Sequence, residues 1–333
     1  MPCCVPGGCP AEAAASEKIR RATLEAMQRE KLSETQNTLD QFHTLPTVDK
    51  SKLDDLSISY GPMLDVDDWS VTSPTEYQSK YFIPFDWPQD WLEYISWSVD
   101  WQWVKMDHRD LYSSSHLQFQ YLRSRWFRAR LCQLDDLDPE VWDVYTESME
   151  MMDAVNLRLP RREFKPKARP DAHTYYEYGG QWAYLAKAGS DKSHAACLML
   201  DSGGKDADGL LLRSEVDAAI CMSQFQLRDG RFTDHHTKPI LVITILREQV
   251  ARLTQAHFDG KKNRLILRQS RLLDLSGEDA GDDAWLLLRW MASTPVGQTE
   301  YPKGTESVDG YCDEKTSVAP SMRVSDSFRC CSS

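Results

Sequence analysis

The stretch Pro239–Leu246 reads PILVITIL and is the most apolar run in the sequence. It is rich in β-branched residues, and its length suits a strand that is buried on both faces. Ala195–Leu200 is a second apolar run and predicts another buried strand. Val216–Leu227 and Asn263–Leu275 predict two more. The second half of the chain is therefore expected to contain a β-sheet.

Helical patterns lie before, between and after these strands. We predict a helix over Thr174–Ala188, a second over Glu248–Phe258 and a last one that starts at Asp283. From Thr174 onward the order is helix, strand, strand, strand, helix, strand, helix. This order predicts an α+β fold, in which a mixed sheet has helices packed on it.

A tryptophan-rich region precedes the predicted sheet, because seven of the 11 tryptophans lie between residues 69 and 126. We predict a helical layer over residues 77–156, followed by a basic connector at 157–170 and the sheet-containing part at 171–292. Residues 77–292 are expected to share one core.

Both ends are predicted to lie outside this core. Residues 11–42 suit a charged, solvated helix, and Thr44–Pro74 suits an acidic linker, so residues 1–76 form the first segment. Residues 293–333 are rich in Ser, Thr, Gly and Pro, and we predict a disordered tail there.

Charge and cysteine content restrict the class of protein. The chain has 333 residues, with 51 acidic and 39 basic side chains and a net charge of −12, which argues against a nucleic-acid partner. The sequence contains no apolar run long enough to span a membrane and no visible secretory signal. Nine cysteines, an odd number spread over the chain, do not resemble a disulfide scaffold. We expect an intracellular protein, in the cytoplasm or the nucleus.

The predicted order of elements resembles the core of restriction-endonuclease-like nucleases. This resemblance implies a metal-binding acid on the second strand and an acid two residues before a lysine on the third. Asp217 is the candidate for the first acid, Glu177 for a supplementary one and His235 for a general base or ligand. The run PILVITIL, taken as the third strand, contains neither an acid nor a lysine. The resemblance therefore implies a degenerate relative, and no metal site or cofactor follows from it. Taken alone, Asp217 and Glu215 are predicted at a surface or strand edge.

Two other kinds of site are suggested by charge and by cysteines. The basic connector is a candidate site for an anionic partner, through Arg161, Arg162, Lys165, Lys167 and Arg169. The terminal cysteines are candidates for lipidation and peripheral membrane attachment, through Cys3, Cys4, Cys330 and Cys331.

Four strings resemble those of functionally uncharacterised proteins from filamentous fungi. They are LPRREFKPKARPDAHTYYEYGGQ (159–181), FTDHHTKPILVITIL (232–246), QAHFDGKKNRLILRQSRLLDL (255–275) and LLLRWMAS (286–293). The similarity spans about residues 80–300 and implies one intracellular globular unit of fungal origin. It implies no activity, ligand or catalytic residue.

Together these patterns predict a non-catalytic binding or scaffolding protein. The charged amino-terminal helix and the basic connector are its expected contact surfaces. The alternatives are a degenerate metal-dependent nuclease or phosphodiesterase and a lipidated peripheral membrane protein.

Overall fold

A mixed β-sheet with helices on both faces forms the centre of the molecule. The computed structural model describes residues 10–41, 46–68, 80–86, 152–154, 161–164, 176–186, 191–259, 262–276 and 281–301. For residues 152–154 and 161–164 it describes the backbone alone.

The helices and strands have the following bounds. The helices are α1 (Pro10–Gln41), α2 (Arg213–Gln226) and α3 (Asp282–Met291). The strands before α2 are β1 (Thr47–Val48), β2 (Ile58–Tyr60), β3 (Phe82–Ile83), β4 (Met152–Ala154), β5 (Arg161–Phe164), β6 (Tyr176–Ala186), β7 (Ala195–Asp201) and β8 (Leu211–Leu212). Those after it are β9 (Ile240–Leu246), β10 (Val250–Asp259), β11 (Arg264–Gln269), β12 (Leu273–Asp274) and β13 (Thr294–Pro295).

The strand order across the sheet is β2-β11-β10-β9-β7-β6. Strands β4 and β5 both pair with β6, and β12 pairs with β10. Strands β7 and β9 are parallel and are connected through α2, while β6–β7, β9–β10 and β10–β11 are antiparallel. The apolar run singled out in the sequence is therefore a central strand, with neighbours on both sides.

Side chains alternate between the two faces of the sheet and feed two hydrophobic cores. On β9, Ile240 and Val242 enter the core shared with α1 and α2, whereas Leu241 and Ile243 enter the core shared with α3. The molecule consequently has a sheet layer between two helical layers.

The structure confirms the α+β class and several predicted elements. Strands β7 and β9 occupy the runs predicted as buried strands, and α1 and α3 lie where the sequence predicts the first and last helices. The predicted strand Asn263–Leu275 is present as two strands, β11 and β12.

Three predicted elements are wrong in type. Thr174–Ala188, predicted as a helix, contains strand β6, whose Tyr- and Trp-rich sequence suits a strand between two neighbours. Val216–Leu227, predicted as a strand, belongs to helix α2. Every residue of α2 from Arg213 to Ile220 is buried, because the helix lies between α1 and the sheet. Its sequence consequently lacks the polar stripe that reveals a surface helix.

Glu248–Phe258, predicted as a helix, is mostly strand β10. The chain reverses between β9 and β10 through Arg247–Gln249, and Glu248 and Gln249 both have positive φ, 64° and 56°. The helical spacing of Val250, Leu253 and His257 misled the prediction.

The described residues among the first 76 contribute to the core, whereas the sequence predicted that this segment lies largely outside it. Leu32 and Leu39 of α1 are fully buried against α2, and Leu56 and Leu64 of the predicted linker are buried too. Strand β2 from this linker pairs with β11 in parallel.

The remaining segments are seen in part. The predicted helical layer at 77–156 lies mostly outside the described residues, and its described pieces include strands β3 and β4. Within the basic connector, Arg161–Phe164 forms β5. The predicted disordered tail begins with strand β13, which pairs with β3, and residues 302–333 lie outside the described residues.

Candidate functional site: a buried polar belt

Polar side chains occupy core positions where the sheet packs against the start of α2. We call this set the polar belt. It consists of Tyr176, Tyr178, Asp201, Ser214, Glu215, Asp217, Thr244, Arg252, Thr254 and Gln269. All except Tyr176 are buried. Such positions normally carry apolar residues, so the belt is where this core departs most from expectation.

Glu215 is the centre of the belt. It stands in the first turn of α2, where its Oε2 accepts a hydrogen bond from the Leu212 backbone N–H at 3.0 Å. Arg252 of β10 binds both of its carboxylate oxygens, at 2.8 and 2.9 Å. The Thr254 hydroxyl and the Gln269 amide also donate to it, at 3.0 and 2.5 Å. A buried carboxylate is tolerable when it is paired and hydrogen-bonded in this way.

The contacts continue from Glu215 into the loops. Arg252 also donates to the Ala207 carbonyl at 3.0 Å, and Gln269 donates to the Leu210 carbonyl at 3.2 Å. The Tyr60 hydroxyl donates to Gln269 Oε1 at 2.6 Å. Through these bonds the belt fixes the loop between β7 and α2 against strands β10, β11 and β2.

Asp201 ends β7 and is fully buried beside the first turn of α2. Three neutral groups donate to its carboxylate: the Gly203 N–H at 2.6 Å, the Tyr176 hydroxyl at 2.6 Å and the Ser214 hydroxyl. Burial raises the pKa of Asp201 to about 6, against the lowering effect of these hydrogen bonds. The pKa of Asp201 thus lies above its ordinary value of 3.8 because the carboxyl is buried.

Asp217 connects α2 to two neighbouring elements. Its Oδ2 accepts a hydrogen bond from the Tyr178 hydroxyl of β6, and its Oδ1 accepts one from the Gln36 amide of α1 at 3.0 Å. Arg213, one helical turn earlier, lies 3.8 Å from Oδ2 and also binds Asp40 of α1 at 3.1 Å. Asp217 is therefore buried between three elements, and its predicted place at a surface or strand edge is wrong. The same holds for Glu215.

Two of the three candidate catalytic residues, Asp217 and His235, lie far apart in the structure. Asp217 lies near the start of α2, whereas His235 lies in the loop that follows its end. The helix between them rises about 14 Å from Asp217 to Gln226. His235 Nδ1 is 2.8 Å from the Thr299 hydroxyl. Glu177 lies on β6 opposite Glu163 of β5, and its side chain is outside the described residues.

Metal binding has no counterpart in the described part of the chain. No group of three or more His, Cys, Asp or Glu side chains there is arranged to hold a metal ion. The belt carboxylates instead receive protein donors. Chemically, the belt and its hydrogen-bond partners crosslink helices α1 and α2, the loop between β7 and α2, and strands β2, β6, β7, β10 and β11.

Other candidate sites are only partly visible. Arg161 and Arg162 lie on β5, with Gly179 and Tyr178 of β6 as their register partners. Lys165, Lys167 and Arg169 are outside the described residues, as are Cys3, Cys4, Cys330 and Cys331. No helix in the described ranges combines the length and apolar character that a membrane span needs.

Sequence alone does not identify Asp201 or the partners of Glu215 as members of a site. Asp201 had one usable signal, because it directly follows an apolar strand, and sites often form at the carboxyl ends of parallel strands. Arg252, Thr254 and Gln269 had no such signal. Arg252 and Thr254 lie in a segment whose pattern predicts a helix, and Gln269 is far from Glu215 in sequence.

Comparisons with known proteins add no relative to this description. No protein-family model matches the chain, and no curated protein or solved structure is significantly similar to it.

Proposed function

We propose that this chain is an intracellular, non-catalytic binding protein. The observation that carries this proposal is the state of the three carboxylates around the start of α2. Asp201, Glu215 and Asp217 are each bound by protein donors inside the fold. A metal-dependent phosphodiesterase needs carboxylate lone pairs that face a cation and its water. Here those lone pairs hold the fold together.

Glu215 shows most clearly why these hydrogen bonds and metal binding exclude each other. Its two oxygens accept five hydrogen bonds, two of them from the Arg252 guanidinium. A divalent cation at this carboxylate would lie next to that guanidinium and would have to displace it. Charge repulsion and the burial of Arg252 both oppose such an exchange.

Two surfaces support a binding role. Helix α1 exposes Ile19 and Met27, which are large apolar side chains on an otherwise charged helix. The basic connector has six basic residues and one acidic residue over residues 157–170, and part of it is fixed in β5 on the sheet. The sign of that charge favours an acidic protein segment as partner.

Calorimetric titration with Mg²⁺, Mn²⁺ and Zn²⁺ tests the non-catalytic part of the proposal. We expect no stoichiometric heat from the wild-type chain or from Asp217→Asn, which keeps the size of the side chain. A stoichiometric heat with the wild-type chain that disappears in Asp217→Asn would instead favour the metal-dependent alternative.

The connector is tested with a poly-glutamate peptide as the probe. The variant K165E/K167E/R169E should lose at least about tenfold in affinity, which corresponds to about 1.4 kcal/mol. K52E/K205E/R231E makes the same charge change at exposed positions outside both surfaces and serves as the matched control. Equal loss in both variants would show that net charge, and not the connector, governs binding.

A further inference from the structure

Helix α1 covers α2 with a stripe that is mostly polar. Its inward positions alternate in spacings of four and three residues, as in a packed helix pair. They are Arg21, Glu25, Gln28, Leu32, Thr35 and Leu39. Of these six, only Leu32 and Leu39 are aliphatic. A helix attached in this way gains little apolar burial for its length.

Polar contacts define how α1 lies on α2. Gln36 donates to Asp217 at 3.0 Å, and Arg213 donates to Asp40 at 3.1 Å. Higher residue numbers on α1 meet lower numbers on α2, so the two helices are antiparallel. These contacts specify the register of the pair more than they add to its stability.

A buried ion pair connects the middle of α1 to the body. The Lys238 ammonium lies 2.9 Å from Glu25 Oε1 and also donates to the His235 carbonyl at 2.9 Å. Both side chains are more than 90% buried. A cation is therefore present at each end of the covered surface, Lys238 at one end and Arg213 at the other.

The packing between α1 and α2 is incomplete. Ser223 of α2 is buried, and its hydroxyl has no hydrogen-bond partner among the described residues. A small recess lies there, lined by Gln28, Ser223, Leu227, His236, Lys238 and Phe258. At this recess the facing side chains of α1 and α2 lack close contacts, which weakens attachment.

We propose that α1 is a displaceable cover and that the surface beneath it binds an acidic amphipathic helix of a partner protein. This inference rests on the binding function proposed above and adds a contact surface to the two named there. The partner helix reproduces the α1 pattern Glu-x6-Leu-x6-Leu-Asp, read from Glu25, Leu32, Leu39 and Asp40. Its carboxylates bind Lys238 and Arg213, and its two leucines fill the positions of Leu32 and Leu39.

The test uses a fluorescent peptide of residues 21–41 as a stand-in for the partner helix. The receptor is the full chain carrying L32A/L39A, which weakens its own cover helix. We expect the peptide to bind this chain at least about tenfold more tightly than the wild-type chain, by fluorescence anisotropy. The control peptide with E25K should bind the variant at least about tenfold more weakly than the unmodified peptide.

Failure to bind a folded L32A/L39A chain, or equal binding of both peptides, overturns the proposal. Neither result bears on the metal titration, so the site can fail while the non-catalytic function stands. If the variant does not fold, hydrogen exchange of the wild-type chain decides. We expect α1 amides to exchange at least about tenfold faster than those of β9, and equal protection overturns the proposal.

Discussion

At the scale of single residues, Asp201 gives the sharpest prediction. Its pKa is about 6 in the fold against an ordinary value of 3.8, so the folded state binds the proton more tightly than the unfolded state. The stability contributed by the protonated carboxyl is complete below about pH 4. It is lost as the pH rises through about 6.

Asp201→Asn removes this dependence, because the amide does not titrate. Asn also retains the size of Asp and can bond the Tyr176 and Ser214 hydroxyls. We expect the variant to become more stable than wild type as the pH rises from 5 to 7.5, by up to about 3 kcal/mol. Urea unfolding at several pH values measures this gap. The exposed Asp206→Asn is the control, and a gap that stays constant with pH would contradict the assignment.

Replacing Glu215 should destabilise the chain, whereas replacing Asp201 should stabilise it at neutral pH. Glu215→Gln leaves the Arg252 guanidinium buried without its carboxylate partner, which should cost about 3–5 kcal/mol of unfolding free energy. Thr254→Val keeps the shape of the side chain but removes one hydrogen-bond donor to Glu215. It should cost about 1 kcal/mol of unfolding free energy. Urea unfolding compares the two with the exposed Glu248→Gln. A loss from Glu215→Gln no larger than that from Glu248→Gln would refute the structural role of the belt.

Glu215 was predicted at a surface or strand edge but is buried, and this difference has a physical cause. A polar residue at a core position looks like a surface residue when only its sequence neighbours are known. Glu215 is satisfied by Arg252 and Gln269, which are 37 and 54 residues away. Only the fold brings those donors to it.

At the scale of elements, the local pattern of apolar residues predicts the apolar strands correctly. It fails for elements that carry polar residues at buried positions. Strands β7 and β9 follow from sequence because both faces are buried and both faces are apolar. Helix α2 is also buried on every side, but Ser214, Glu215 and Asp217 are among its buried residues. Its apolar residues therefore show neither the helical spacing of about 3.6 residues nor the strand spacing of two. Strand β10 carries Arg252, Thr254 and Gln255 at buried positions. For the same reason its sequence does not show a strand pattern.

The attachment of α1 is the prediction that belongs to this scale. Glu25→Lys and Lys238→Glu each place two like charges in a buried contact, and each should destabilise the chain by about 3 kcal/mol. The double variant E25K/K238E restores opposite charges and should recover at least about 1 kcal/mol of that loss. Thermal unfolding of the four chains measures the coupling. Additive losses in the double variant would exclude a direct contact between the two side chains.

At the scale of the whole molecule, the unexpected finding is how much of the amino-terminal segment belongs to the core. The sequence of α1 predicts a solvated helix because its inward stripe contains Arg21, Glu25 and Gln28. Its two buried leucines, seven residues apart, are too few to show as an apolar face. The α+β class, in contrast, follows from the apolar strands β7 and β9 together with the first and last helices, which the sequence also predicts.

Acid stability is a property of the whole molecule, and two histidines should dominate it, the buried His194 and the half-buried His257. Burial lowers the pKa of His194 to about 3 and that of His257 to about 4. The unfolded chain binds these protons near pH 6.5, so stability should fall as the pH drops from about 6.5 towards 4. His257→Gln should flatten this fall in urea unfolding. An unchanged slope in that variant would show that His257 is not protonated on unfolding.

The central claim is that the carboxylates at the start of α2 hold the fold together and do not hold a metal ion. The most direct measurement is the thermal unfolding midpoint of the wild-type chain in excess Mn²⁺ and in EDTA. A ligand that binds only the folded state raises this midpoint. We predict the same midpoint in both conditions. A midpoint that rises with Mn²⁺ in the wild-type chain, and does not rise in Asp217→Asn, would contradict the claim.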